Sequence, residues 1–353
     1  MKVLHCIHSL SGGGAERQLS LIAAHAERYG FDVAVFCVSD EVADDSYAQI
    51  KIYKSLKDSR ISFALAKDLK KAIKDYAPDI VHAWLPWNVT VPAMVLGRMH
   101  GCKVAFSFRN RMFFYKPILL LEYLAALCFA DKVVSNNPIE QSSLFYRKLY
   151  AAKNGCMIPN AVRVASGDFQ SNESEEGLTR LVSFGRLTRQ KNYPAVLEAL
   201  STLSSESKWS YEIYGAGEDR VLLDRLIQRF SLDKRVVIYD FTDDIHKIMQ
   251  SADCLIFPSK WEGMPNVLVE AVALGMPAIV SDIPANKYAL QEWEDSFYWF
   301  DLRDTFGLAQ CIYAIVKKGV NRLNEEVTRG VETKFSTERL LTNYADCYRT
   351  MLR

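Results

Sequence analysis

The feature that most constrains this chain is an alternation of short apolar runs with longer amphipathic ones, carried through once, interrupted, and begun again. Residues 3–8, 33–38, 79–83, 103–108 and 132–135 have the length and composition of buried strands. Between them, 15–29, 66–76 and 92–100 carry helical spacing. The tract 166–177, SGDFQSNESEEG, is polar, acidic and poor in apolar residues, and reads as a linker. The pattern then restarts: strands at 181–184, 211–214, 236–239, 254–258 and 278–281, with helices at 193–203, 220–230 and 266–274. Apolar strands separated by helices form parallel sheets covered by helices. Two such series predict two doubly wound, Rossmann-like α/β domains, 1–165 and 178–335, each long enough to bury its own core. Thr337–Leu352, with Leu340, Leu341, Tyr344 and Tyr348 at helical spacing, reads as a closing helix in a terminal segment 336–353. Doubly wound sheets take ligands beyond the carboxyl ends of their strands, and a cleft between two facing sheets is where a substrate is expected.

Charge and cysteine usage narrow the class. The net charge is +1, but residues 1–160 hold 20 Lys and Arg against 14 Asp and Glu, while the rest holds 23 against 28. A basic first half suits phosphate groups or an acidic membrane surface, although the excess is modest. No nucleic-acid partner is expected. The eight cysteines are scattered, with no C-x-x-C and no His pair at metal-ligand spacing, so they read as buried reduced thiols of a cytoplasmic protein. His5 and His8 make the N-terminus too polar for a signal peptide. The longest apolar run, 117–130, is too short to span a bilayer and is broken by Glu122, so an integral membrane protein is not expected.

Three segments carry candidate chemistry, each at a predicted strand end. Residues 11–16, SGGGAE, could bring backbone amides to a phosphate at a helix N-terminus. The order departs from G-x-G-x-x-G and the Walker Lys-Ser/Thr is missing, so the loop alone reads as well as a permissive turn. Residues 185–192, GRLTRQKN, offer Arg186 as a fork and Lys191 as a point charge for a diphosphate. Alone it could be a solvated basic loop. Residues 262–270, EGMPNVLVE, set Glu262 in a loop, Gly263 and Pro265 at a turn, and Glu270 on the helix that follows. Two such glutamates alone could equally be a dipole-stabilising acid and a partly buried one.

The three segments in this order on two doubly wound halves resemble the retaining glycosyltransferases of family 4, which have the GT-B fold. The resemblance runs through GGAERQ (13–18), PDIVH (78–82), PNAV (159–162), YGAG (214–217) and the terminal helix preceded by Phe335 and Ser336. In that family the terminal helix crosses back to the first domain. The resemblance implies that Gly13 and Gly14 set amides against the pyrophosphate of a UDP-sugar donor. Arg186 and Lys191 neutralise that group as it leaves. Glu262 contacts the donor sugar, Glu270 holds the ribose hydroxyls, and the amides of Asn266, Val267 and Leu268 complete the pocket. It further implies retention of the anomeric configuration by front-face attack, with catalysis resting on leaving-group stabilisation. No Asp-x-Asp motif is present, so no metal and no other cofactor is expected.

Two departures bear on the acceptor and the base. Where many members carry Thr/Ser-x-His, this chain has Ser107, Phe108, Arg109 and Asn110. Arg109, Asn110 and His82 are the residues left to meet acceptor or sugar, His82 more as a cleft or core histidine than as a general base. Asp240 stands where a glycine usually follows the strand near the nucleotide base. The segment 109–123 mixes Arg109, Arg111 and Lys116 with aromatic and aliphatic residues, and reads either as a core helix with a basic entry or as a peripheral contact with an anionic membrane. The resulting expectation is transfer of a hexose or N-acetylhexosamine to a saccharide or polyprenyl-diphosphate-linked acceptor in bacterial surface-polysaccharide assembly, at the inner face of the cell membrane. A nucleotide-sugar epimerase and a non-catalytic sugar-nucleotide-binding protein of the same fold are the alternatives.

Overall fold

The computed structural model describes residues 1–10, 14–38, 47, 50–55, 63–84, 88–109, 117–138, 143–162, 177–204 and 206–353. Gly13, Asn110 and the linker residues 166–176 lie outside them. The chain divides into two compact units, 1–161 with 337–353, and 162–336.

The first unit is built on β1 (Lys2–Cys6), α1 (Gly14–His25), β2 (Asp32–Cys37), β3 (Lys51–Lys54), α2 (Phe63–Tyr76), β4 (Ile80–Trp84), α3 (Thr90–Met99), β5 (Lys103–Phe108), α4 (Pro117–Phe129), β6 (Lys132–Ser135), α5 (Leu144–Ala152) and β7 (Cys156–Met157). Its seven strands are ordered β3-β2-β1-β4-β5-β6-β7, with all pairs parallel. The strands are apolar on both faces because both faces are covered. Leu4, Ala34 and Phe36 face one cluster with α2, α3 and α4 residues, while Val3, Val33 and Val35 face the other with α1 residues. The second cluster also takes in Leu340, Leu341, Tyr344, Tyr348 and Met351. These belong to the terminal helix, which therefore completes the first unit although it follows the second in sequence. The helix expected over 15–29 is α-helical only to His25. Ala26–Tyr29 tighten to a 3₁₀ turn that Gly30 closes with φ 83°, a left-handed conformation that favours glycine.

The second unit runs β8 (Thr179–Phe184), α6 (Tyr193–Ser201), β9 (Trp209–Tyr214), α7 (Arg220–Arg229), β10 (Val236–Tyr239), α8 (Ile245–Ser251), β11 (Cys254–Phe257), α9 (Asn266–Ala273), β12 (Ala278–Ser281), α10 (Pro284–Leu290), β13 (Tyr298–Phe300), α11 (Thr305–Lys318) and α12 (Glu325–Lys334). The terminal helix of the first unit is α13 (Thr337–Leu352). The six strands are ordered β10-β9-β8-β11-β12-β13, again all parallel. Strand order reverses between β8 and β11, so the loops after these two neighbours leave in opposite directions and open a crevice. That is where a doubly wound sheet takes a ligand. In the first unit the reversal lies between β1 and β4. No helix among the described residues is long and apolar enough to cross a membrane.

Candidate active site

The loop after β8 is shaped by close backbone packing. Gly185 has φ 141°, and a Cβ there would stand 2.7 Å from Lys191 Cε. A Cβ on Gly215, in the loop after β9, would stand 2.0 Å from the Gly185 carbonyl oxygen. The two loops are laced by Gly185 N–H to the Tyr214 carbonyl (3.0 Å) and Leu187 N–H to the Ala216 carbonyl (2.9 Å). Two side chains are thus excluded so that two strand-end loops can touch. The loop closes at Asn192, which takes φ 56° as the N-cap of α6.

Lys191 turns from this loop toward the one after β11. Its Nζ lies 2.8 Å from Glu262 Oε1, and both side chains are largely buried, at 15% and 9% exposure. Gln190 Nε2 donates to the Trp261 carbonyl (2.8 Å) and to Glu262 Oε2 (3.2 Å), and Lys260 N–H donates to the Gln190 carbonyl (2.8 Å). Phe257 lies 5.0 Å beneath the Lys191 ammonium. The Glu262 carboxylate and the Lys191 ammonium therefore meet across the β8–β11 reversal. A charge pair this dry is held by its own attraction and by Gln190; removal of either partner strands the other charge.

Arg186 behaves differently. It is exposed, and its guanidinium makes no hydrogen bond or ion pair with a described residue. It stands at the edge of a pocket of about 270 Å³ lined by Phe184, Gly185, Tyr214, Gly215, Phe241 and Val267, among others. One wall is aromatic: the Phe184 and Tyr214 rings stack with centroids 5.3 Å apart, and Tyr239 stacks in turn on Tyr214 at 4.9 Å. Tyr214 Oη donates to Glu212 Oε2 (2.5 Å), and Arg180 grips both oxygens of that carboxylate at 2.7 and 2.8 Å. These bonds hold the carboxyl of Glu212 below its usual range despite its burial.

The helix α9 forms the facing wall through Val267. Its N-cap is Pro265, which offers no side-chain acceptor, and the first turn of a helix has no internal acceptors. Asn266 N–H is taken by the Met264 carbonyl at 2.9 Å, so of the three expected amides Val267 and Leu268 are the two left unengaged among the described residues. Glu270, one turn further, is 7% exposed, with His246 Nε2 of α8 3.9 Å from its Oε2. The two glutamates are thus held by different elements. His246, Phe241, Thr242 and the aromatic wall escape a reading of the sequence, because they converge from three separate strand ends. YGAG at 214–217 is the one local signal for that wall.

In the first unit, Gly14 opens α1, exposed. Arg109 and His82 both meet α13, and His82 is a core histidine. Arg109 donates through Nη1 to Asn160 Oδ1 (2.8 Å) and through Nη2 to Tyr344 Oη (2.5 Å), with its guanidinium 4.0 Å over the Trp84 ring. His82 is fully buried, with Nδ1 2.7 Å from Tyr348 Oη and Nε2 2.7 Å from Ser107 Oγ. Burial, with His5 and Arg109 nearby, holds its ring neutral. Both side chains bond α13, a contact the sequence does not reveal because α13 lies more than 230 residues away. Asp240 is 93% exposed, with Arg220 3.9 Å away. Among the described residues no cluster of His, Cys, Asp and Glu could hold a metal ion.

Comparison with known proteins agrees with this geometry. Residues 12–166 match the model of glycosyltransferase family 4, and 166–322 match that of glycosyl transferases group 1. The O-antigen biosynthesis glycosyltransferase WclY of Escherichia coli is 25% identical over 89% of each chain. The UDP-Gal:α-D-GlcNAc-diphosphoundecaprenol α-1,3-galactosyltransferase of Escherichia coli is 25% identical over 91% of this chain and 84% of its own. Among solved structures, Anabaena HepE in complex with UDP superposes with a TM-score of 0.78 at 16% identity, covering 99% of this chain and all of that one. With both halves matched and two parallel-sheet units of the GT-B fold, the chain belongs to the family 4 glycosyltransferases.

Proposed function

We propose that the protein moves a hexose or N-acetylhexosamine from a UDP-sugar to a lipid-linked or oligosaccharide acceptor, with retention of configuration, in the assembly of a surface polysaccharide. The observation that carries this reading is the pairing of Lys191 with Glu262 across the strand-order reversal, beside an uncommitted Arg186 at the pocket edge. A nucleoside seats in the pocket against Phe184, Val267 and the aromatic wall, and its ribose reaches Glu270. The diphosphate then lies toward Arg186 and Lys191. Negative charge develops on that diphosphate as the glycosidic bond breaks, and two cations, the buried Lys191 and the exposed Arg186, favour that state over the ground state. In this account the cations do the work, and no divalent ion is required. Glu262, already oriented by Lys191 and Gln190, accepts hydrogen bonds from sugar hydroxyls.

The acceptor class is favoured by the relative that acts on a diphosphoundecaprenol-linked sugar. A lipid-linked acceptor suits an enzyme lying on the cytoplasmic face of a membrane, and the first unit has a surface for it. On α4, Leu120, Leu121, Leu124 and Leu127 are exposed, and on α5 Leu144 and Phe145 are exposed. Tyr123 and Phe145 meet with ring centroids 6.1 Å apart, so the two apolar faces adjoin. Leucines at such a surface enter the acyl boundary, and the basic excess of the first half draws it to anionic lipid. Of the segment 109–123, residues 110–116 lie outside the described ones.

The test is UDP release from a panel of UDP-sugars, with and without chelator, using a polyprenyl-diphosphate sugar as acceptor. Release and product formation by the wild type, lost in Glu262→Ala and Lys191→Ala, support the reading. Interconversion of UDP-sugars without UDP release contradicts it, as does dependence on a divalent ion for the metal-free account. Flotation with anionic vesicles, weakened by Leu121→Asp/Leu124→Asp, checks the membrane contact.

A further inference from the structure

Two of the eight cysteines meet. Cys156 lies on β7 and Cys347 on α13, separated by 191 positions, and their sulfurs are 3.2 Å apart. Both are reduced in this structure. The sulfurs are in contact and need approach by only about 1 Å to reach the length of a disulfide, roughly 2.05 Å. Cys347 is buried at 6% exposure, whereas Cys156 is half-buried and within reach of a small oxidant. The Cys156 thiol is pulled below its ordinary range, first by the hydrogen bond from Cys347 and also by the positive charge of Lys132. Cys347 is pushed the other way, by the same bond and by burial. The pair is asymmetric in access: Cys156 is the half-buried sulfur that an oxidant meets first, and Cys347 is the enclosed one. Nucleophilicity toward an oxidant follows the thiolate and its access.

We infer that Cys156 and Cys347 form a reversible redox pair, a modification site that staples α13 to β7 when a hydroperoxide reaches Cys156. In the first step the Cys156 thiolate attacks the hydroperoxide. An S–O bond forms, the O–O bond breaks, and an alcohol or water leaves with a solvent proton. In the second step Cys347 sulfur attacks Cys156 sulfur. The S–S bond forms, the S–O bond breaks, and water leaves with the Cys347 proton. Two electrons pass from the two sulfurs to the peroxide. A dithiol in excess returns both thiols.

The position of the staple gives it a consequence. Residues 157–346 contain the whole second unit, 162–336, so the bond closes a ring at the two points where the chain leaves and re-enters the first unit. Cys347 also lies between Tyr344, which accepts from Arg109, and Tyr348, which meets His82. Oxidation fixes the helix that carries both contacts. Disulfides in cytoplasmic proteins are usually transient and sensing rather than structural, which matches a pair held reduced and in contact.

The experiment uses the full chain with Cys128→Ser, which removes the exposed thiol on α4. Native protein is treated with dilute hydrogen peroxide, quenched with an alkylating agent, and mapped by peptide mass. The expected product is a cross-linked pair of peptides containing Cys156 and Cys347, lighter by two hydrogens and lost with dithiothreitol. In Cys347→Ser the expected product is a Cys156 sulfenic acid, trapped by dimedone. Oxidised protein is expected to melt several degrees above reduced protein, a difference missing from Cys156→Ser. The inference is overturned if Cys156 in the parent goes only to sulfenic or sulfinic acid, or if the cross-link forms only after denaturation. Equal melting temperatures for the cross-linked and reduced parent would overturn the staple.

Discussion

The two units share one architecture and use their strand ends in opposite ways. In the second, the ends of β8, β9 and β11 leave an open pocket, an uncommitted arginine and a lysine–glutamate pair. In the first, the described ends of β4 and β5 are filled: Arg109 lies over Trp84 and bonds Tyr344, while His82 bonds Tyr348 and Ser107. Arg186 and Arg109 each follow a central strand. One makes no hydrogen bond or ion pair with a described residue, and the other bonds the C-terminal helix. A doubly wound sheet fixes where a site can be, and what packs over the strand ends differs between the described parts of the two units.

The comparison breaks most readily at Lys191. Lys191→Ala is expected to lower kcat by roughly 10²–10³-fold and to lower the melting temperature, because Glu262 is left buried without its cation. The double variant Lys191→Ala/Glu262→Gln should recover the stability and not the activity. Recovery of both would make the pair a packing device.

The second test concerns Glu122 in the first unit. Its carboxylate is fully buried and neither oxygen has a hydrogen-bond partner among the described residues. Desolvation alone pushes its pKa from 4.5 up to about 8. An acid whose folded pKa is raised favours the fold when protonated, so its penalty is absent below the unfolded value, grows as pH rises, and levels off above the folded value. Glu122→Gln should therefore stabilise the protein by about 3 kcal/mol at pH 7 and by little near pH 4.5. Denaturant midpoints across that window check it, and a pH-independent difference contradicts the assignment.

A smaller effect is expected at Tyr348→Phe, which leaves His82 Nδ1 without its partner in a dry core. The cost is about 1–3 kcal/mol, read as a lower melting temperature with the KM for the donor unchanged. A raised donor KM with unchanged stability would place the His82 cluster in the binding machinery instead.

Much of the fold is legible from the sequence, for a physical reason. Strands of parallel sheets are covered on both faces, so β1, β2, β4, β5, β6, β8, β9 and β11 stand out as short apolar runs. The short edge strands β3, β7 and β13 do not, because KIYK at 51–54 and CM at 156–157 carry too little apolar surface to mark themselves. The helices α10 to α12 follow one another with one short strand between, so alternation no longer announces them. Glu262 and Lys191 are legible as types at strand ends, yet their 2.8 Å contact is not, since it joins loops 71 residues apart. The bond of Arg109 to Tyr344 is hidden for a related reason. A strand-end arginine looks the same in sequence whether it faces a ligand or lies beneath Tyr344 of a distant helix.

The proposed function puts a diphosphate on Arg186 and Lys191 in the second unit, while Arg109 bonds the terminal helix in the first. Calorimetric titration of UDP into the wild type, Arg186→Ala and Arg109→Met, with melting temperatures taken in parallel, tests this directly. The account predicts that Arg186→Ala weakens UDP binding about tenfold or more, as expected for lost charge-assisted hydrogen bonds, with its melting temperature unchanged. It predicts that Arg109→Met binds UDP as the wild type does and melts earlier. Unchanged UDP affinity in Arg186→Ala, or loss of UDP binding in Arg109→Met without loss of stability, would contradict it.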